Sequence, residues 1–257
     1  MIKFIASDLD GTILQKGAME IDRETICVLN EVTEQNVLFA PASGRQITSL
    51  RRLFKDVKQD LVYICENGAL VKYKDETLMK CAMERELGIE IMKDIYSVPN
   101  CEILLSGEET SYLMPKNEAY VHRIRDVVKN NVTIIRDFSE VKEDFIKISV
   151  CDLSGIVHSG EYFLKKWAGK TQAAVSGELY LDFNAVGVNK GRAIRAVQEK
   201  FGIGREETAV FGDNYNDIEM FHEAKHSFVM ETAAEDVKKH AKKQITSVAK
   251  TIRTLYS

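Results

Sequence analysis

Ile2-Lys3-Phe4-Ile5-Ala6-Ser7-Asp8-Leu9-Asp10-Gly11-Thr12 is the stretch on which the fold turns. A short apolar run ends on two carboxylates and then a glycine. Such a run, bounded by turn residues, reads as a buried strand, so Asp8 and Asp10 stand at its carboxyl end, where Gly11 lets the backbone turn sharply. Further along, Ile21, Val28, Leu29 and Val32 recur at helical spacing. Val37 to Ala40 then reads as a second strand, Gln46 to Val57 as a helix and Leu61 to Ile64 as a third strand. Strands alternating with helices predict a parallel sheet covered on both faces, with ligands bound beyond the carboxyl ends of its strands.

From about Met83 to Asp182 the pattern changes. Glu102 to Ser106, Thr110 to Met114 and Tyr180 to Phe183 read as strands, and Lys116 to Lys129 and Ser154 to Trp167 as helices, which suggests an inserted domain. The first plan then resumes. Gly191 to Phe201 is an amphipathic helix, and the strand Thr208 to Phe211 runs into Gly212-Asp213, repeating the strand-then-aspartate design.

Composition narrows the partners. The 257 residues are 45% apolar and 29% charged, enough for a sizeable core. A net charge of -4 gives no general basic field for a nucleic-acid backbone, so phosphate chemistry has to come from a local site and a small ligand is expected. The N-terminal apolar run is too short for a signal peptide and none spans a bilayer, so no membrane partner is expected. Five scattered cysteines, none in C-x-x-C spacing, fit reduced thiols and a cytoplasmic location. Nothing in the sequence indicates an oligomeric state.

The chemistry concentrates in four places. Asp8 and Asp10 suit a hard cation such as Mg2+, which takes oxygen ligands and neutralises charge that would repel an attacking carboxylate. One carboxylate could then attack phosphorus while the other protonates the leaving alkoxide. A solvated Asp-Gly turn is the plain alternative. Ser43-Gly44-Arg45 offers a hydroxyl, backbone N–H groups and a guanidinium to phosphoryl oxygens, or only a helix cap. Lys190, in Asn189-Lys190-Gly191, could steady a phosphoryl group and a carboxylate nucleophile as a compact charge. Gly212-Asp213-Asn214-Tyr215-Asn216-Asp217 supplies further carboxylates after a strand, or caps a helix.

Together these segments resemble, in order, the four motifs of the haloacid dehalogenase superfamily phosphatases: Asp8-Leu9-Asp10-Gly11-Thr12, Ser43-Gly44-Arg45, Lys190, and Gly212-Asp213 with Asn216-Asp217. The resemblance implies a Rossmann-like doubly wound core. It makes Asp8 the nucleophile, Asp10 the general acid/base, and Ser43 and Lys190 the anchors of phosphate and nucleophile. Asp213 becomes a Mg2+ ligand, with Asn216 and Asp217 supporting the site. Asp8 would give the metal a carboxylate oxygen and Asp10 its main-chain carbonyl. The insertion, with Glu66-Asn67-Gly68-Ala69 and Gly187 to Gly191, resembles the Cof-type sugar-phosphatase branch, which carries a large α/β cap. Residues 1–82 and 184–257 are then the core, and 83–183 the cap that selects the substrate. A sugar phosphate or similar phosphomonoester is the implied substrate. A phosphomutase or phosphotransferase would use the same motifs, and a phospho-aspartate receiver some of them, although a receiver has no use for a cap. His222-Glu223-Ala224-Lys225-His226 fits the zinc-protease pattern H-E-x-x-H, but no third ligand is evident and it reads as the end of a surface helix.

Overall fold

The structure, a computed structural model, describes residues 1–256. In chain order the elements begin β1 (Phe4–Ser7), α1 (Arg23–Thr33), β2 (Leu38–Pro41), α2 (Ile47–Leu53), β3 (Val62–Cys65), β4 (Leu70–Tyr73) and β5 (Glu76–Lys80). There follow α3 (Arg85–Ser97), β6 (Cys101–Ser106), β7 (Ser111–Leu113), α4 (Glu118–His122), β8 (Val132–Ile134), β9 (Lys147–Asp152), α5 (Ile156–Trp167), β10 (Gln172–Val175) and β11 (Tyr180–Asn184). The last group is α6 (Lys190–Phe201), β12 (Thr208–Gly212), α7 (Ile218–His222), β13 (His226–Met230), α8 (Glu235–Lys238), β14 (Lys243–Ile245) and α9 (Val248–Tyr256).

The chain forms two compact units. One comprises residues 1–45, 50–79 and those from 189 on; the other comprises residues 46–49 and 80–188. The first is built on a five-stranded parallel sheet in the order β14-β13-β12-β1-β2. All four residues of β1 are buried, as expected for a central strand with both faces covered. Phe4 and Ala6 join Ala193, Ile194 and Val197 of α6 and Met220 and Phe221 of α7 in one apolar cluster. Alternation sends Ile5 and Phe39 to the opposite face, and α1 with its buried Val28, Leu29 and Val32 packs against α9. Asp22 caps α1 by accepting hydrogen bonds from the Thr25 amide (2.9 Å) and hydroxyl (2.7 Å).

The third predicted strand is placed differently from the sequence reading. β3 pairs antiparallel with β4 in a separate sheet, β3-β4-β5, and meets the end of β2 only through a bridge between Ala42 and Ile64. The cause is the turn that follows: Glu66, Asn67 and Gly68 all adopt positive φ (50, 59 and 94°) and send the chain straight back. An apolar tetrapeptide carries no record of that reversal.

The second unit has the sheet β10-β11-β9-β6-β7-β8, antiparallel except for the parallel β7–β8 pair. One face of this sheet carries Ile103, Leu105, Ile148, Val150, Leu181 and Phe183 into a cluster with Ile91, Ile95, Phe163 and Trp167 of α3 and α5. Where the sequence reading had only long helical stretches between strands, the structure adds α3, β8, β9 and β10. The expected helix Lys116 to Lys129 is α4 continued by a π-turn over Arg123–Val127. Its Tyr120 and Ile124 cover Leu104, Leu113 and Cys151 on the other face of the sheet.

Candidate active site

The parallel register of β1 with β12 sets Ser7 against Phe211, and the Asp8 amide donates to the Phe211 carbonyl at 2.8 Å. The two strand-end aspartates are thereby brought side by side. Gly11, at φ +94°, is where the chain folds over them: a Cβ there would lie 2.3 Å from Asp213 Oδ2. Gly212 plays the same part beneath Asp217, whose Oδ2 would be 2.5 Å from an added Cβ. Only residues without a side chain let the acidic groups come this close to the strand ends.

The result is a group of three carboxylates, Asp8, Asp213 and Asp217, with one oxygen from each within 4.8 Å of the others. Lys190, the first residue of α6, reaches into it. Its Nζ donates to Asp8 Oδ1 at 2.5 Å and to Asp217 Oδ1 at 2.6 Å, and its side chain is fully buried. Asn189 fixes that approach by capping α6, its side chain accepting from the Arg192 amide at 2.8 Å. Asp217 Oδ2 accepts from the Asp213 and Asn214 amides at 2.9 and 3.0 Å, and Asp213 Oδ1 accepts from the Thr12 hydroxyl at 2.6 Å. Asp8 Oδ2, by contrast, is buried with no hydrogen-bond donor among the described residues.

Burial pushes the Asp8 carboxyl well above the ordinary carboxylate range, against the pull of the Lys190 charge and with Asp217 and Asp213 adding to the rise. Burial likewise raises Asp213, opposed by the Thr12 hydrogen bond and reinforced by Asp217. Burial alone would lower Lys190, but Asp217 and Asp8 hold it above the usual lysine range, so it remains an ammonium. Three carboxylates facing one ammonium leave an excess of negative charge in a dry place. Hard oxygen donors, that excess charge and the undonated Asp8 Oδ2 together fit a divalent cation, which Asp8, Asp213 and Asp217 could hold.

Asp10 does not join this group through its side chain. Its carboxylate is half exposed and held in a fork by Arg45, with Nε to Oδ2 at 2.9 Å and Nη2 to Oδ1 at 2.6 Å. As a candidate cation ligand, Asp10 thus has its main-chain carbonyl to offer, because the guanidinium takes both carboxylate oxygens. The register Ser7↔Pro41 carries Ser43 alongside the end of β1, where the Arg45 amide donates to Ser43 Oγ at 3.3 Å. Gly44 lies against Asn67, which also accepts from Asn216 Nδ2 at 3.2 Å. Two contributors have no role assigned from the sequence. Thr12 was visible as the last residue of the first motif, whereas Asn67 works through a left-handed turn (φ 59°) that only its Asn-Gly neighbourhood hints at. The H-E-x-x-H histidines do not share a helix: His222 ends α7, and His226 opens β13.

A parallel doubly wound sheet with this carboxylate and lysine cluster at its strand ends defines a phosphoryl-transfer enzyme of the α/β class. A sequence model of the haloacid dehalogenase-like hydrolases matches residues 5–251, and the chain belongs to that family. A relative from Escherichia coli (strain K12), 5-amino-6-(5-phospho-D-ribitylamino)uracil phosphatase YbjI, is 25% identical over 242 residues, covering 94% of this chain and 89% of its own. A solved structure from Eubacterium rectale superposes with a TM-score of 0.87 at 27% identity over 99% of both chains. The sugar phosphatase BT4131, of subclass IIB of the superfamily, shares the fold with a TM-score of 0.79 at 22% identity over 99% of both chains. The protein is a phosphatase of the Cof-type branch acting on small phosphorylated substrates.

Proposed function

We propose that the chain is a Mg2+-dependent phosphatase that hydrolyses a small phosphomonoester through a phosphorylated Asp8. The observation that carries this reading is the placement of Lys190 Nζ between Asp8 Oδ1 and Asp217 Oδ1, which aims Asp8 with its second oxygen undonated. When bound, Mg2+ would neutralise the phosphoryl charge and polarise its oxygens, with Asp8, Asp213, Asp217 and the Asp10 carbonyl as the groups to hold it. A carboxylate oxygen of Asp8 attacks phosphorus, the ester P–O bond breaks, and Asp10, once out of its fork with Arg45 and protonated, gives its proton to the departing alkoxide. Water then attacks the phosphorus of the acyl phosphate while Asp10 takes the proton, restoring the Asp8 carboxylate and releasing inorganic phosphate. Lys190 stabilises the charge on Asp8 throughout, and Ser43 with the backbone at Gly44 and the side chain of Asn216 orients the phosphoryl group. The inserted unit selects the organic part of the substrate, and the relatives named as ribitylaminouracil phosphatases make a sugar or polyol phosphate the leading class. The composition reading supports a cytoplasmic enzyme, and among the described residues no helix is long and apolar enough to cross a membrane.

The test is phosphate release from a panel of phosphorylated sugars, polyols and nucleotides, with Mg2+ or chelator, for the wild type and Asp8→Asn. Mg2+-dependent release that vanishes in Asp8→Asn is expected. Isomerised sugar phosphate with little free phosphate would show a mutase instead, and full activity in Asp8→Asn would refute the mechanism.

A further inference from the structure

Two histidines from separate segments of the first unit meet at the end of the parallel sheet opposite the aspartates. His222 ends α7 a short turn before β13 opens, and His240 lies between α8 and β14. β13 and β14 run parallel to β12, whose carboxyl end leads to Asp213, so both imidazoles stand by the amino ends of the strands.

His222 Nε2 and His240 Nδ1 are 3.3 Å apart. The ring centroids are 5.4 Å apart and the planes tilted by 52°, so the rings meet through their nitrogens and not face to face. As a hydrogen bond the distance is at the long end of the range. As the spacing of two metal ligands it fits, because imidazole nitrogens about 2.0–2.1 Å from a tetrahedral Zn2+ stand about 3.3–3.4 Å from each other.

The backbones that carry the rings are fixed by the fold. Phe221 and Ala224 on either side of His222, and Val237 ahead of His240, are buried in one apolar cluster, with Ala241 packed against it. The His222 carbonyl accepts from Arg205, Gln198 Nε2 donates to the Glu223 carbonyl at 2.9 Å, and the His240 amide donates to the Val237 carbonyl at 3.0 Å. Both imidazoles are nonetheless exposed. Donors already set on a rigid frame lose little freedom when they chelate an ion. Glu219 and Glu223 line a groove with His222 and add negative charge beside it. Glu223 is engaged by Arg195, whereas Glu219 has no ion pair among the described residues.

We propose that His222 and His240 form a binding site for a divalent transition-metal ion, Zn2+ foremost, with water completing its shell. Imidazole suits Zn2+, Ni2+ and Cu2+, whereas Mg2+ takes oxygen ligands, so this site differs from the carboxylate cluster in kind as well as in place. The ion ties α7 to the segment between α8 and β14 and so braces the amino ends of β13 and β14. The partner of His222 is then His240, from outside the H-E-x-x-H pattern, and not His226.

The experiment titrates Zn2+ into the reduced full chain by calorimetry at about pH 7.5, where most imidazoles are neutral, with Mg2+ in excess. His222→Ala and His240→Ala should each weaken the site about a hundredfold, the loss of one arm of a chelate, while His226→Ala leaves it unchanged. His222→Cys, which restores a zinc ligand, should recover most of the affinity. Zn2+ should also raise the melting temperature of the wild type and slow amide exchange at residues 222–225 and 239–242, and neither effect should survive in the alanine variants. Equal Zn2+ affinity in the wild type and both alanine variants would overturn the assignment and leave the pair a hydrogen bond. So would wild-type binding no tighter than that of a lone imidazole, or loss of the site in His226→Ala, which would return the ion to H-E-x-x-H.

Discussion

Lys190 is the residue on which both folding and chemistry depend. Its ammonium is buried against two carboxylates, so removing it strands two negative charges in a dry site. Lys190→Met should destabilise the protein by about 3–5 kcal/mol in urea unfolding as well as abolish turnover. Gly11→Ala should fail differently: the positive φ strains any side chain, and the new Cβ must displace Asp213. Its expected signature is loss of the thermal shift expected when Mg2+ is added to the wild type, read by calorimetry with and without the cation. At this scale the sequence was informative, because strand-end carboxylates, a following glycine and a capped lysine each have a chemical reason. It could not show that Arg45 would take both oxygens of Asp10, a fork between residues 35 positions apart in the chain. The motif marks Arg45 as a phosphate ligand; the fold gives it a carboxylate to hold.

Among the elements, α1 makes a clean test because one side chain starts it. Partial burial would raise the Asp22 carboxyl, but hydrogen bonds from the Thr25 hydroxyl and amide outweigh that and lower it. A lowered folded-state value means that the cap stabilises above the unfolded carboxyl range and that this support drains away as pH falls through the folded value. Asp22→Ala should therefore cost about 1 kcal/mol at neutral pH. The difference from wild type should vanish well below about pH 4 in denaturant melts. Elements built around motifs were legible in the sequence, whereas β9 was not, although Lys147-Ile148-Ser149-Val150 alternates as a strand should. Its polar positions are buried too, so alternation did not mark a boundary between core and solvent. β3 misled for the opposite reason: its apolar residues are right, but a left-handed turn decides its partner.

On the scale of the molecule, the two units have separate apolar clusters. Phe163, wholly buried between α5 and the second sheet, belongs to one of them alone. Phe163→Ala should destabilise its own unit by about 3–5 kcal/mol. Hydrogen exchange should then show accelerated amides in β6, β9 and β11, with β1 and β12 keeping their protection.

The order of the parallel sheet also bears on how the protein is made. β1 is synthesised well before one of its two neighbours, β12, which follows only after the whole second unit. Asp8 waits 182 positions for its lysine. A nascent chain therefore carries an open edge on its central strand and an uncompensated carboxylate until those segments follow, a long-range closure of the kind that slows folding. Chains released before Thr208 should gather as aggregates or degradation fragments, with no partly active enzyme among them.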